Sequence, residues 1–228
     1  MRFDILTLFP DMFPGYLSQS ILNKSIERGL VEIHVHNMRD WAEGRHRKID
    51  DTPYGGGPGM VLMAPPVVNC VRDVQAMAPE TGVVIMTTPQ GRRLNQPMVE
   101  ELAVNKRMIL LCGRYEGFDQ RVIDVLQPLE VSIGDYILNG GEVAAMVLVD
   151  SLVRMVPGVL GDEQSNWDDS FSRGNRMLEY PQYTRPQDFE GHKVPEILLS
   201  GNHGDIERWR NAKSLENTKN KRSDLLDN

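Results

Sequence analysis

The chain has 228 residues, of which 40% are hydrophobic and 25% charged, and its formal net charge is −7. This composition is typical of a globular protein and excludes a disordered chain, a collagen-like repeat and a coiled coil. Its two cysteines, Cys70 and Cys112, form no C-x-x-C pair, which argues against a disulfide scaffold or a cysteine zinc site. The first residues resemble no export signal, and glycines and prolines interrupt the longest uncharged stretch. We therefore expect a cytoplasmic protein without a membrane span.

Short apolar runs alternate with helical patterns through the first two thirds of the chain. This order is typical of an α/β fold with a parallel sheet built from crossover units. The predicted strands are 3–8, 31–36, 83–87, 108–111 and 129–133. The predicted helices between them are 15–28, 65–77, 96–104 and 118–126. Gly29 is suited to end the first of these helices, and Asn95 to cap the third.

The pattern changes in the last third of the chain. Residues 142–156 predict a helix that is apolar around most of its circumference, so it lies in the middle of the fold or also packs on a second subunit. The polar, acidic and turn-rich segment 161–176 predicts a flexible linker between domains. Residues 177–228 follow as a small C-terminal unit with a helix near 204–217.

Positive charge is concentrated in two places although the chain is acidic overall. Residues 45–48 form one basic cluster, and the cations between 208 and 222 form a second. A nucleic-acid partner would have to bind through such local patches and through shape, because the net charge repels it.

The best-known catalytic patterns are absent from the sequence. It contains no P-loop, H-E-x-x-H, G-x-S-x-G or EF-hand pattern, and no G-x-G-x-x-G follows the first predicted strand. His34 and His36 share one face of a strand, but no third ligand accompanies them, so a structural role is favoured and no metal site is predicted.

One segment combines unusual backbone freedom with a polar neighbourhood. It contains Gly55, Gly56, Gly57, Pro58 and Gly59 in succession. Glycines allow positive φ and a close approach of the backbone to a ligand, and clusters of backbone N–H groups suit anions such as phosphate. The alternative is a tight, irregular connection without a ligand.

Three more glycine-containing loops each follow a predicted strand. The carboxyl ends of parallel strands meet at one edge of a sheet, where ligands bind, so the loops are expected to converge on a compact amphipathic ligand. Ordinary turns are the alternative. The candidate ligand-binding residues are Thr87, Thr88, Pro89, Gln90, Gly91, Gly113, Tyr115, Glu116, Gly117, Ser132, Ile133, Gly134, Asp135, Tyr136, Ile137, Leu138, Gly140 and Gly141. Glu142 comes directly after them, and we expect it to cap a helix N-terminus.

A resemblance to one family rests on several long motifs in a fixed order. These are YGGGPGM, PQG, LLCGRYEGFDQRV, SIGDYILNGGE, LVRMVPGVLG, DDSF and YTRP. In order and spacing they resemble the bacterial tRNA (guanine-N1)-methyltransferases, the TrmD family, over residues 1–210. The resemblance implies a trefoil-knotted α/β domain of the SPOUT class at 1–160, whose three loops bind S-adenosylmethionine. Topology rules would argue against a knot, so this feature comes from the resemblance alone.

The same resemblance implies the reaction and its residues. A methyl group passes to N1 of the guanosine immediately 3′ of the anticodon, which helps to maintain the reading frame. Asp169 is the implied base, with Asp168 as its rival, and Arg154 stabilises charge on the guanine O6. The implied substrate contacts include Glu116, Ser170 and the segment 55–59, that is, its four glycines and Pro58. The implied partners are tRNA, gripped by 177–228, and a second copy of the chain in a homodimer with shared active sites.

Some alternatives stay open at this point. The sequence MTT at 86–88 departs from the Tyr-Leu-Ser type expected there, so its side-chain contacts are uncertain. A related SPOUT enzyme could modify a ribose 2′-OH or ribosomal RNA, and a non-catalytic RNA-binding module could use the same loops to follow phosphates. The sequence also leaves open a dependence on Mg²⁺, which Glu116 could assist.

Overall fold

The computed structural model describes residues 1–160, 169–172 and 176–226. The chain divides into two compact units, Met1–Gly161 and Asp162–Asn228. This division lies close to the predicted boundary after residue 160. Most of the predicted linker 161–176 lies outside the described residues, so its flexibility stays a prediction.

A five-stranded sheet forms the centre of the first unit, with strand order β2-β1-β6-β5-β7 and all neighbouring strands parallel. Its strands are β1 (Arg2–Thr7), β2 (Glu32–Asn37), β5 (Val83–Arg93), β6 (Arg107–Cys112) and β7 (Leu129–Ser132). A separate antiparallel pair consists of β3 (Asp50–Asp51) and β4 (Val61–Leu62). All six residues of β6 are buried, as expected for a central parallel strand with both faces covered.

Helices cover both faces of this sheet, which confirms the predicted α/β class. They are α1 (Pro14–Leu17), α2 (Ser20–Glu27), α3 (Ala64–Ala76), α4 (Gln96–Ala103), α5 (Gln120–Leu126) and α6 (Glu142–Val153). Because strand side chains alternate between faces, Met108 and Leu110 of β6 join the core under α2, α4 and α6, while Ile109 and Leu111 join the core under α3 and α5. The trefoil knot stays a prediction.

Two of the predicted local signals are confirmed, and one predicted helix is wrong in its extent. Gly29 has a φ of 67°, and the Asn95 side chain accepts a hydrogen bond from Met98 N at 3.0 Å. The single helix predicted at 15–28 is instead two helices, α1 and α2. Ser20, the first residue of α2, has a positive φ of 54°, which interrupts a continuous helix at this point.

Strand β5 is longer than the predicted strand 83–87, because the chain leaves the sheet and then returns to it. Thr87 and Arg92 both pair with Val131 of β7, so residues 88–91 form an excursion within the strand and not a loop after it. A Cβ atom on Gly91 would lie within 3.0 Å of backbone atoms of Glu130 and Val131. The return to β7 therefore requires a glycine at this position.

A buried ion cluster stabilises the amino-terminal edge of the sheet. Asp4 is fully buried and lies 2.9 Å from Arg107 Nε, 2.9 Å from His36 Nε2 and 2.8 Å from Arg2 Nη2. Burial by itself raises the pKa of Asp4, but the hydrogen bonds from His36, Arg2 and Arg107 outweigh it and hold the pKa well below its ordinary value. Arg107 is also buried and donates to the Val74 carbonyl, among others.

The second unit contains a long helix, α7 (His203–Lys221), which extends beyond the predicted 204–217 at its carboxyl end. Its first turn is capped by Asn202, whose side chain accepts from Asp205 N at 3.4 Å. A short hairpin, β8 (Asp188–Phe189) and β9 (His192–Lys193), precedes the helix. Among the described residues of both units, no helix is long and apolar enough to cross a membrane.

Candidate active site

A cavity of about 540 Å³ opens where β5, β6 and β7 reach the carboxyl edge of the sheet. Its lining includes every predicted cofactor residue except Gly91 and Asp135. Gly91 lies against the backbone of β7, and Asp135 is exposed on its loop, 3.8 Å from Arg93. The structure therefore brings the three predicted loops together, while their binding of S-adenosylmethionine stays a prediction.

Backbone contacts join two of these loops directly. Gly141 N donates to Gly113 O at 2.8 Å, and an isolated antiparallel bridge pairs Arg114 with Gly140. A Cβ atom on Gly141 would collide with the Thr87 side chain and lie 2.9 Å from Gly113 N. Only glycine leaves room for this approach, which holds the loop at 113–117 beside the loop at 132–141.

A buried polar group that no local sequence pattern indicates lies under these loops. Glu142 is fully buried, and its carboxylate accepts a hydrogen bond from Thr7 Oγ1 at 2.8 Å. Arg114 Nε lies 2.9 Å from Glu142 Oε2, an ion pair without hydrogen-bond geometry. Glu142 lies at a helix N-terminus as predicted, in the first turn of α6, but the predicted capping role is wrong, because its side chain binds Thr7 and Arg114 and caps no helix N–H. Arg114 also stacks over the Phe9 ring, 4.4 Å from its centroid, and lines the cavity.

The glycine-rich segment 55–59 does not line the cavity itself and approaches it only through the contact of Gly59 with Glu116, a lining residue. Gly55, Gly56 and Gly57 have positive φ and, like Pro58, do not line the cavity. Gly59 has a φ of 90° and lies against the side chain of Glu116, leaving no room for a Cβ atom. The loop at 113–117 is joined to this segment, since Glu116 N donates to Met60 O at 3.0 Å and Leu62 N donates to Gly117 O at 2.9 Å.

Apolar side chains stand at the mouth of the cavity. Ile137 is 80% exposed and Tyr136 55% exposed, although the Tyr136 hydroxyl donates to the Ile133 carbonyl at 3.1 Å. Tyr115 has a φ of 58°, a left-handed conformation that costs energy for a residue with a side chain. These residues offer an apolar surface that a bound ligand would cover.

Arg154 lies in the first unit but away from the cavity. It is exposed and caps the carboxyl end of α6, whereas the cavity is lined by Ala144 near the start of that helix. Ten residues of α-helix correspond to about 15 Å along the axis. A single copy of the chain thus keeps Arg154 apart from the predicted cofactor loops.

Asp169 and Ser170 belong to the second unit. The Asp169 carbonyl accepts from Ser172 N at 3.1 Å, and Ser170 Oγ accepts from Glu179 N at 3.0 Å. Phe171 N donates to Met177 O at 2.9 Å, so this short stretch is hydrogen-bonded to the start of the C-terminal segment. Asp168, the rival base, lies outside the described residues.

Neighbouring acids neutralise part of each of the two predicted basic patches. In the first patch Arg47 binds Asp40 and Lys48 binds Asp51. The pairs of the second patch are Arg208 with Asp205, Lys213 with Glu216, and Arg222 with Asp224. Within the described ranges, no group of three or more His, Cys, Asp or Glu residues could hold a metal ion. A dependence on Mg²⁺ is not tested by these observations.

The sheet, its two helical layers and the cavity lined by glycine loops at its carboxyl edge define an α/β protein with a cavity of the size that small-molecule sites have. The profile of the family described as tRNA (Guanine-1)-methyltransferase TrmD matches residues 1–228. The chain belongs to this family, whose members are SPOUT-class enzymes.

Individual relatives agree over nearly the full length. A tRNA (guanine-N(1)-)-methyltransferase from Rhodopirellula baltica is 64% identical over 99% of this chain and 94% of the relative. Proteins of the same name from Geobacillus kaustophilus and Geobacter sulfurreducens are 55% and 54% identical, and the matches cover 92% and 91% of those relatives.

Proposed function

We propose that this protein transfers the methyl group of S-adenosylmethionine to N1 of the guanosine immediately 3′ of the anticodon in tRNA. Membership of the tRNA (guanine-N1)-methyltransferase family over the whole chain carries the proposal. The cavity formed by three convergent loops supports it independently, because a methyl donor needs a site that fixes its reactive carbon relative to the acceptor. No observation favours a ribose-modifying enzyme or a non-catalytic RNA-binding module.

The cavity suits S-adenosylmethionine in size and chemistry. Its volume of about 540 Å³ falls within the range of small-molecule sites, roughly 300–1,000 Å³. Backbone N–H and C=O groups of the glycine loops can bind the polar edges of the ligand, and Pro89, Tyr115, Tyr136 and Leu138 offer apolar contacts. When bound, S-adenosylmethionine supplies a methyl group on a positively charged sulfur.

Two side chains are proposed to act on the guanine. N1 carries a proton at neutral pH and is a poor nucleophile until that proton is removed, so a positioned base is required. Asp169 takes the proton, and the Arg154 guanidinium stabilises the negative charge that develops on O6. Transfer is then direct, without a covalent enzyme intermediate.

The position of Arg154 supports a homodimer with shared active sites. Val143 and Val147 of α6 are 47% and 41% exposed, and Arg154 follows at helical spacing on the same face. Exposed apolar side chains at this spacing are typical of a helix that packs on a partner. We call Val143, Val147 and Arg154 the α6 stripe. A second copy packed on this stripe would cover the valines and bring Arg154 into the interface, where it could reach the partner's cavity.

The remaining predicted residues are proposed to hold the substrate. A base in the anticodon loop must leave the stack before an enzyme can reach N1. The glycines at 55–59 and Ser170 would contact the extruded nucleotide, and Glu116, which lies between Gly59 and the cavity, would contact the guanine edge. Asp169 and Ser170 would approach the cofactor site when tRNA binds.

Nucleoside analysis tests the reaction. The full chain is incubated with tRNA and S-adenosylmethionine labelled in the methyl group, and the tRNA is then digested to nucleosides. Labelled N1-methylguanosine is expected. Labelled 2′-O-methyl nucleosides would replace the proposal by a ribose-modifying enzyme, and tRNA binding without any label would replace it by a binding module.

Sedimentation tests the dimer. Val147→Asp should convert a dimer to a monomer and abolish turnover, because a carboxylate without a counter-charge is too costly to bury in the interface. Val104→Asp is the matched control, since Val104 is 77% exposed at the end of α4, apart from the stripe. A parent chain that sediments as a fully active monomer would refute shared active sites.

A further inference from the structure

An extended segment of the second unit runs along α7 and is fixed to it by hydrogen bonds. Leu178 N donates to Thr218 Oγ1 at 3.0 Å, and Ser214 Oγ donates to Leu178 O at 2.5 Å. The carbonyl of the next residue in the segment, Glu179, accepts a hydrogen bond from Asn217 Nδ2 at 3.1 Å. Ser214 and Thr218 are buried, so this docking is part of the unit's own packing.

The docked segment places two tyrosines beside two residues of the helix. The Arg210 guanidinium lies over the Tyr180 ring, 4.6 Å from its centroid. The rings of Tyr183 and Trp209 lie 6.3 Å apart at an angle of 54°. Tyr183 is 48% exposed, so this ring is only partly covered by its neighbours. Trp209 and Arg210 are neighbours on the helix, so the half-exposed ring of Tyr183 and the Arg210 guanidinium lie against the same stretch of α7.

Arg210 differs from the cations around it. Arg208, Lys213 and Arg222 each form an ion pair with an acid within a few residues. Like the exposed Lys219 and Lys221, Arg210 has no such carboxylate among the described residues, but it alone of these three has a buried polar atom, Nε, without a hydrogen-bond partner. A partly buried guanidinium without a carboxylate needs an explanation, and a bound anion provides one.

The geometry points to RNA as the anion, and we infer that Arg210 binds a backbone phosphate of tRNA while Tyr183 stacks on an unpaired base. This inference rests on the proposed function, since tRNA is the substrate. A guanidinium stacked over a tyrosine ring keeps its N–H donors in a plane parallel to the ring. Two of these donors can then bind one phosphate. Exposed aromatic rings beside a cation are how proteins bind single-stranded RNA.

The negative net charge of the second unit increases the importance of each unpaired cation for RNA binding. Residues 161–228 contain 10 Lys and Arg against 13 Asp and Glu, a net charge of −3. An acidic unit gains little from general attraction to RNA, so its binding depends on the few cations that acids do not neutralise. Arg210 is such a cation.

The test compares Arg210→Gln with Arg208→Gln in the full chain. Both variants lose one positive charge on the same helix, but only Arg208 is already paired. Arg210→Gln is expected to weaken tRNA binding about 5- to 10-fold and to reduce the salt slope by about 0.7 to 0.9, the value of one phosphate contact. Turnover at saturating tRNA and affinity for S-adenosylmethionine should not change. Arg208→Gln should bind tRNA like the parent.

Tyr183 provides a second variant that does not disturb the Arg210 stack. Tyr183→Ala should weaken tRNA binding at least fivefold with an unchanged salt slope, whereas Tyr183→Phe should retain binding, because stacking needs the ring and not the hydroxyl. Parent-like binding by both Arg210→Gln and Tyr183→Ala, in an enzyme that still forms N1-methylguanosine, would overturn the inference and leave the proposed function intact. If the parent chain itself formed no N1-methylguanosine, the proposed function would be overturned instead.

Discussion

Arg114 and Glu142 form an ion pair beneath the loops that line the cavity, with Arg114 Nε 2.9 Å from Glu142 Oε2. Arg114 belongs to the loop after β6, and its Nη1 also donates to the Asn139 carbonyl at 3.1 Å in the loop after β7. Glu142 begins α6 and accepts from Thr7 at the end of β1. The pair thus links two loops of the cavity to the sheet and to the helix that carries Arg154.

Replacement of Arg114 should impair both folding stability and the proposed cofactor site. Arg114→Ala leaves the buried Glu142 carboxylate without its cation, so we expect a loss of about 3 kcal/mol in the free energy of unfolding and at least tenfold weaker binding of S-adenosylmethionine. Calorimetry of unfolding and of S-adenosylmethionine binding measures both effects. Arg121→Ala is the control, because Arg121 forms an exposed pair with Asp119 and should change neither. Parent-like cofactor affinity in Arg114→Ala would contradict the role of the pair.

Gly141 should tolerate no side chain. In Gly141→Ala the new Cβ would collide with Thr87 and with the backbone of the loop at 113–117, so we expect cofactor binding to fall at least tenfold. Gly15→Ala is a matched control, since a Cβ there meets no atom within 4 Å. Equal cofactor affinity in the two variants would show that the loops do not need their close approach.

Asp4 should make the first unit sensitive to acid. Its pKa in the folded state is held below the ordinary value, near 3.9 in an unfolded chain, so the stabilising charge is fully present above pH 4 and is lost as the pH falls further. Denaturant titrations from pH 7 to pH 3 should show stability falling below pH 4 in the parent. Asp4→Asn should be less stable at pH 7 by about 3 kcal/mol and should lose less of its stability below pH 4. If the stability of the parent and of Asp4→Asn fell equally with pH, Asp4 would be excluded as the origin of the acid sensitivity.

Both thiols should be inert in the folded protein. Cys70 and Cys112 are buried and form no disulfide. Burial raises the pKa of each thiol, which removes the reactive thiolate near neutral pH. A chromogenic thiol reagent should therefore label neither cysteine in the native chain and both in denaturant. Rapid labelling under native conditions would contradict the packing described for β6 and α3.

The convergence of the three loops was predictable from the sequence because it follows from one rule, the common edge of parallel strands. The apolar α6 was also readable from its composition. The excursion of β5 at 88–91 was not, because it is set by pairing with β7, about forty residues further along the chain. The pair of Arg114 with Glu142 and the contact of Glu142 with Thr7, 135 residues apart, likewise leave no local pattern.

Asp169 is the proposed base, and a single-turnover comparison with its neighbour tests the assignment. Asp169→Ala should retain folding and affinity for S-adenosylmethionine while methylation falls at least a hundredfold, because the guanine N1 keeps its proton. Asp168→Ala, which removes the same charge one position earlier, should retain most of the rate. Comparable single-turnover methylation by Asp169→Ala and the parent would remove Asp169 from this role.

Methylation of two tRNA transcripts that differ only in the nucleotide immediately 3′ of the anticodon tests the central claim most directly. The full chain is given labelled S-adenosylmethionine and either the transcript with guanosine there or its adenosine counterpart. The guanosine transcript should be labelled, with N1-methylguanosine as its only labelled nucleoside, and the adenosine transcript should stay unlabelled. Equal labelling of the two transcripts, or label recovered in another nucleoside, would contradict the account.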